Sequence, residues 1–508
     1  MTSYSVVIPT VGRPCLADCL RALAAAAGPR PDQVLVVDDR PAAATGSLLT
    51  APNEPALKLP VSVLASGGAG PAAARNAGWH RARTEWVAFL DDDVRVGPDW
   101  RQRLAEDLSG RPGRMAGVQG RITVPAPQAR RPTDWERTTM GLAGARWITA
   151  DMAYRRAALA ETGGFDERFP RAFREDADLA LRLLADGWEL GLGARQTVHP
   201  VRPASPWVSV RAQAGNADDA LMRVLHGRHW KARAQAGRDR RASQALITAA
   251  VAAGAGLAAA GRRGPALAAL AVALAGTTEF AAARIAAGPR TSREIAAMTA
   301  TSLVIPELAC WHWARGRIRA RRARPWPPAR AVLFDRDGTL IRDVPYNGDP
   351  ALVEPMPAAA AAVAAARRRG LRVGLVTNQS GIARGRLSRA DADAVNARVG
   401  AVLGPFDVVL VCPHGPADGC QCRKPAPGMV LEAADALGVD PHECVVIGDI
   451  GADVAAARTA GARGILVPDA RTRAAELTGV RVAPDVLSAV RMVTGDLPLA
   501  PVWPGRAA

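Results

Sequence analysis

Lysine is almost absent from a strongly basic chain. Of 65 basic residues only Lys58, Lys231 and Lys424 are lysines, and the rest are arginine. An excess spread this evenly reads as compositional bias, not as a surface shaped for a polyanion. Aromatic residues are scarce too, with three tyrosines and seven phenylalanines. No series of stacking rings therefore supports a nucleic-acid reading of the +17 net charge. Cysteine is limited to seven residues, an odd number, which argues against a disulfide framework. The first residues lack a basic stretch followed by an apolar run, so they predict no secretory signal and a cytoplasmic chain. Glycine and proline are too few to suggest disorder, and 508 residues call for about three domains.

What is present falls into two similar halves around a different middle. Residues 1–204 alternate β-branched runs ("SVVIPT", "QVLVVDD", "VSVLAS", "WVAFLDDD") with helical stretches such as "CLADCLRALAAAAG". Residues 331–480 repeat the alternation with "AVLFDRDG", "RVGLVTN", "VVLVCP", "CVVIGD" and "GILVP". Strand followed by helix predicts two α/β domains with mostly parallel sheets. Between them, 205–310 is Ala-rich and helical, and 242–261 and 264–283 are uncharged apart from Glu279. Both are long enough to cross a bilayer. An even number of crossings, or helices lying in the membrane plane, competes with a buried soluble bundle. Arg262 and Arg263 in the connection run against the positive-inside tendency. Residues 311–330 read as a Trp/Arg/Pro linker suited to anionic headgroups or to solvent, and 481–508 as a tail.

In the C-terminal α/β domain, strand ends carry the chemistry. "LFDRDGTL" offers Asp335 and Asp337, "VTNQSG" offers Thr377, Asn378 and Ser380, Lys424 follows, and "VVIGDIGAD" supplies Asp449 and Asp453. In an open α/β sheet ligands bind beyond the carboxyl ends of strands. Carboxylates, one lysine and small donors gathered there suit magnesium-assisted phosphoryl transfer. In a chain where arginine is the default cation, Lys424 marks a place that wants a compact ammonium. Just before it, Cys412, His414, Cys420 and Cys422 have the spacing C-x-H-x5-C-x-C. Four such ligands suit one closed tetrahedral Zn2+ site, with a redox pair or ordinary cysteines as alternatives.

These motifs resemble the haloacid dehalogenase (HAD) superfamily over about 150 residues. With "CPH" and "CRKP" they are similar to the D-glycero-D-manno-heptose 1,7-bisphosphate and histidinol-phosphate phosphatases. The resemblance implies Asp335 as nucleophile, Asp337 as general acid and base, and Thr377, Asn378, Arg423 and Lys424 on substrate or phosphate. It also implies Mg2+ on Asp335, Asp449 and the Asp337 carbonyl.

The N-terminal domain places Thr10, Asp38 and Asp39, and Asp91, Asp92 and Asp93 at strand ends, with "GPAAARNAGWHRA" running from a loop into a helix. Three consecutive aspartates call for a divalent cation. The set resembles the family 2 glycosyltransferases of the GT-A, Rossmann-like fold over about 200 residues. That resemblance implies a nucleotide-sugar donor contacted by Thr10, Asp39, Arg75, Asn76 and Asp91. Mg2+ or Mn2+ would sit on Asp93, with His199 a candidate late ligand that a structural role would equally explain. Asp176 would be the base of an inverting transfer to a sugar or lipid-linked acceptor. "DDR" and Asp151 depart from the pattern and put the donor sugar in question. The whole chain thus reads as a bifunctional enzyme, the main alternative being that one domain is a scaffold.

Overall fold

The structure is a computed structural model that describes residues 3–41, 59–237, 239–321, 323, 326–469, 472–477, 480–494 and 496. Two compact units emerge. The first holds Met1–Arg155, Glu167–Leu181 and Leu190–Ala323. The second holds Arg324–Ala508 with two pieces of the N-terminal half, Arg156–Asp166 and Arg182–Glu189. The helical region 205–310 is therefore part of the first unit.

The first unit is built on eight strands: β1 (Tyr4–Thr10), β2 (Gln33–Asp38), β3 (Val61–Ala65), β4 (Trp86–Leu90), β5 (Arg95–Val96), β6 (Met115–Thr123), β7 (Asp151–Arg155) and β8 (Glu189–Val198). Their order across the sheet is β3-β2-β1-β4-β7-β6-β8-β5. The β3-β2-β1-β4 half is parallel and β7 runs antiparallel to β4. Val6, Ile8, Val34, Val36, Trp86 and Ala88 bury one face of the parallel half with Leu16, Leu20 and Leu23 of the helix Cys15–Ala25. Packing both faces of parallel strands leaves their carboxyl ends as the free edge. Thr10, Asp38 and the aspartates after β4 stand on that edge.

Beyond the helices that flank the sheet, residues 241–320 form four successive helices of this unit: α1 (Arg241–Ala259), α2 (Arg263–Ala287), α3 (Ser292–Ser302) and α4 (Ile305–Ala320). Residues 311–320, expected as linker, continue α4; its alanines and arginines are good helix formers, and Gly316 lies against the Ala217 backbone.

The second unit is a six-stranded parallel sheet in the order β11-β10-β9-β12-β13-β14. Its strands are β9 (Ala331–Phe334), β10 (Arg372–Asn378), β11 (Val408–Cys412), β12 (Cys444–Gly448), β13 (Arg463–Leu466) and β14 (Arg481–Val482). All four residues of central β9 are buried. Residues 481–494 correct the expectation of a tail. They form β14 and the helix Val486–Thr494, whose Val486, Ala489, Val490 and Val493 bury into the core. The rest of that segment, from 497 on, lies outside the described residues.

Candidate active sites

In the second unit, β9 ends at Phe334 and delivers Asp335, while β12 ends at Gly448 and delivers Asp449. One turn into the next helix stands Asp453, folded back so closely that a Cβ on Gly448 would lie 2.2 Å from its carboxylate. The ligand oxygens of Asp335, Asp449 and Asp453 lie within 4.8 Å of one another. Lys424, only 3% exposed, pairs with Asp335 and sits 2.6 Å from Asp453, and it donates to the Val376 carbonyl at 2.9 Å. Burial works against its charge, but Asp335 and Asp453 outweigh that and hold it firmly protonated. Burial, then the repulsion of Asp453, pushes Asp449 up to about 7. Asp335 is raised well above the usual carboxylate range by burial, against the pull of Lys424. Buried carboxylates in excess over one ammonium are a donor set for a hard divalent cation.

Asp337 faces differently. Its carboxylate accepts from Arg336 at 3.0 Å and from Gln379 Nε2 at 2.8 Å, and the same Gln379 amide donates to Thr377 at 2.8 Å. Gln379 thus ties the candidate acid to the candidate phosphate site, a link its polar neighbours in "VTNQSG" did not single out. Asn378, expected on phosphate, both donates to and accepts from the Lys424 backbone at 3.1 Å through its amide, so it braces the loop that carries the lysine. Arg423 donates to the His414 carbonyl at 3.1 Å, and so joins the substrate loop to the cysteine cluster.

That cluster is compact. Cys412–Cys422 is 3.3 Å, Cys420–Cys422 3.5 Å, Cys412–Cys420 3.8 Å, and His414 Nδ1 lies 3.2 Å from Cys422 and 3.6 Å from Cys412. With Zn–S about 2.3 Å and Zn–N about 2.0 Å, a tetrahedron has edges of about 3.5–3.8 Å. The observed separations fall within about half an ångström of these edges, so the four side chains fit one Zn2+ after small side-chain shifts.

In the first unit Asp91, Asp93 and His199 bring ligand atoms within 4.8 Å of one another. His199 Nε2 is 3.6 Å from Asp93, whose other oxygen meets Arg202 at 2.8 Å. Burial, then Asp91, raises the Asp93 carboxyl. The middle aspartate turns away: buried Asp92 accepts from Thr10 at 2.6 Å and from Arg13 at 2.8 Å. This alternation leaves Asp91 and Asp93 as the pair that can share a cation. Arg75, buried, bridges Glu175 at 2.8 Å and Asp91 at 3.1 Å. Asp39 accepts from Ser66 at 2.8 Å and from the Gly70 amide at 3.1 Å, which fixes the loop before the Pro71–Arg81 helix. The Glu175 carboxyl is pushed up to about 8 by burial and by Asp176, and Asp176 is itself raised by burial.

Thr10 and Asn76 are expected near a nucleotide. The Thr10 hydroxyl holds Asp92, and Asn76 donates to Glu167 at 2.8 Å and accepts from Trp79 at 2.9 Å. Asp151 is fully buried and bonds Arg195 and Trp100 at 2.7 Å and Thr197 at 2.6 Å. Arg202 had not been singled out. It lines a cavity of about 470 Å3 with Trp135, Ser205, Arg293, Glu294 and Met298, directly beside Asp93.

Comparison with known proteins finds similarity in both the N-terminal and the C-terminal parts of the chain. The family model for glycosyl transferase family 2 matches residues 5–177, and that for HAD-hydrolase-like proteins matches 421–490. A D-glycero-beta-D-manno-heptose-1,7-bisphosphate 7-phosphatase from Mesorhizobium japonicum is 42% identical over 157 residues, 28% of this chain and 72% of the relative. The D,D-heptose 1,7-bisphosphate phosphatase of B. bronchiseptica, solved with magnesium and phosphate, is 31% identical. It matches with a TM-score of 0.31 over 33% of this chain and 99% of its own. A mannosyltransferase from Pyrobaculum calidifontis, solved with GDP-Man and Mn2+, is 19% identical with a TM-score of 0.34, covering 61% of this chain and 87% of its own. The chain belongs to the HAD-like phosphatases through its C-terminal domain, and its residues 5–177 are similar to glycosyl transferase family 2, so that it pairs a phosphatase with a transferase.

Proposed function

We propose that the C-terminal domain removes the 7-phosphate of D-glycero-D-manno-heptose 1,7-bisphosphate and that the N-terminal domain transfers a sugar from a nucleotide-sugar donor with inversion. The observation that carries the phosphatase reading is the buried Asp335–Lys424–Asp453 set beside Asp449, in a chain 42% identical to a heptose-bisphosphate phosphatase over 157 residues.

Asp335 attacks phosphorus, and the P–O bond to the sugar breaks as an aspartyl-phosphate forms. Asp337 gives its proton to the departing sugar oxygen. It then takes one from water, which attacks phosphorus and frees Asp335. Lys424 and Thr377 hold the phosphoryl oxygens, and Gln379 keeps Asp337 and Thr377 in one geometry. Asp335, Asp449 and the Asp337 carbonyl would hold Mg2+, which supplies charge neutralisation between two anions. Zn2+ on Cys412, His414, Cys420 and Cys422 would pin the loop that presents Lys424.

In the transferase, Asp91, Asp93 and His199 would hold Mg2+ or Mn2+ at the donor diphosphate. Asp176 removes the acceptor hydroxyl proton, and Arg75 keeps Glu175 and Asp91 aligned around it. The cavity beside Arg202 suits a sugar or lipid-linked acceptor.

The test is phosphate release by purified protein with Mg2+. Heptose 1,7-bisphosphate should be cleaved far faster than histidinol phosphate, and the reverse preference overturns the assignment.

A further inference from the structure

We propose that α1 and α2 form a hairpin that spans a lipid bilayer, with both catalytic units on the cytoplasmic side and Arg262–Arg263 on the opposite surface. The two helices have 19 and 25 residues and so run about 28 and 37 Å. A hydrocarbon core is about 30 Å thick.

Length alone would fit the core helix of a soluble protein, but these helices are bare. Between Val251 and Glu279 only Gly254, Ala266 and Ala273 are buried. Leu267 is 69% and Leu274 66% exposed, and Leu246, Val251, Leu270 and Val272 are exposed with them. A soluble chain seldom shows water so large an apolar surface. The apolar surface also runs all the way round. No charged residue occurs on any face from Ala242 to Gly261 or from Gly264 to Thr278. A helix lying in the interface needs one polar face, and neither helix has one.

The charges sit instead at two levels. Arg240 and Glu279 pair at 2.6 Å at the base, and Arg262 and Arg263 form the tip. From Glu279 to Arg263 the rise along α2 is about 24 Å, close to a hydrocarbon thickness once long arginine side chains reach outward. Six basic residues lie between 228 and 241 and three between 284 and 293, against two at the tip, so the base carries the cytoplasmic excess.

The contact between the helices suits lipid surroundings as well. A Cβ on Gly254 would lie 2.8 Å from Leu270, and one on Gly276 2.8 Å from Ile247. Glycines thus let antiparallel backbones approach, as packing in bilayers favours. At the base, Arg284 is buried against Thr301, Ser302, Asp134 and Ser209, which ties α2 to the transferase unit.

The experiment uses the full chain in bacterial cells and in phosphatidylcholine–phosphatidylglycerol vesicles. The protein should float with vesicles and stay with membranes through high salt and alkaline carbonate. A membrane-impermeant maleimide should label Arg262→Cys in intact cells, and Ala242→Cys only after lysis. Leu267→Glu with Leu274→Glu should release the chain to the soluble fraction at unchanged phosphatase rate, which shows that it still folds. A soluble wild-type chain, alone or paired with a second copy, overturns the proposal. So does release by carbonate, or an Arg262→Cys that is labelled only after lysis.

Discussion

Lys424→Met tests how the phosphatase site holds its charge. The wild-type ammonium is buried between Asp335 and Asp453, with Asp449 in the same cluster. Without it, three enclosed carboxyl groups have no cation. Two ionised carboxylates about 4 Å apart repel by roughly 4 kcal/mol at the effective screening of a protein site. They will therefore take up protons rather than all ionise. Removing one partner of a buried ion pair costs about 3–5 kcal/mol, and this is the loss expected at pH 8 without metal. The sign with pH follows from the upward shifts of Asp335 and Asp449. A carboxyl whose folded pKa is raised contributes fully below its unfolded value, near 4, and loses that contribution as pH rises through the folded value, about 7 for Asp449. Loss of the lysine pushes these values further up, so the gap between variant and wild type should widen from pH 5 to pH 8. Mg2+ should narrow it. Hydrogen exchange of the β9 and β12 amides reads the second unit separately from the first. Lys424→Arg is the control: it restores charge, yet a planar guanidinium cannot replace three compact donors to Asp335, Asp453 and Val376. It should recover part of the stability and little of the activity. A penalty under about 1 kcal/mol, or one equal at pH 5 and pH 8, refutes this account of the site.

Asp335→Asn should lower phosphate release at least about a thousandfold and leave sugar transfer intact, and Asp93→Ala should do the reverse; two unchanged activities would show that neither cluster is catalytic. Metal analysis should find one zinc per chain, and chelation or Cys422→Ser should remove phosphatase activity while transfer persists. Asn378→Ala should reduce phosphatase kcat about 10- to 100-fold with little change in KM, since it loosens Lys424 and not the substrate. Asp151→Asn should cost about 1–3 kcal/mol in the first unit, because buried Arg195 loses one of its two carboxylate partners and keeps Asp107, and should not alter donor preference.

The features legible in the sequence were those whose chemistry is local. The candidate zinc ligands fall within eleven residues, and Asp91, Asp335 and Asp449 each directly follow a hydrophobic strand. Strand and ligand could be read together, and the structure assembles both clusters at strand ends. What stayed hidden was the direction of individual side chains. Thr10 holds Asp92 across 82 residues and Asn76 holds Glu167 across 91, and no short window shows whether a donor faces a ligand or a distant partner. The backbone segment that Asn378 holds is likewise 46 residues away. The tail expectation failed differently: Val486, Val490 and Val493 have a clear helical period, but a single short helix gains stability only from a core that the sequence does not reveal. Lys424 shows how composition can carry information that spacing cannot. In a chain that supplies arginine almost everywhere, an ammonium where two carboxylates and a carbonyl converge is a geometric choice. The same bias makes most other cations here uninformative about function, because an arginine in an exposed ion pair would be found whether or not the position had a role.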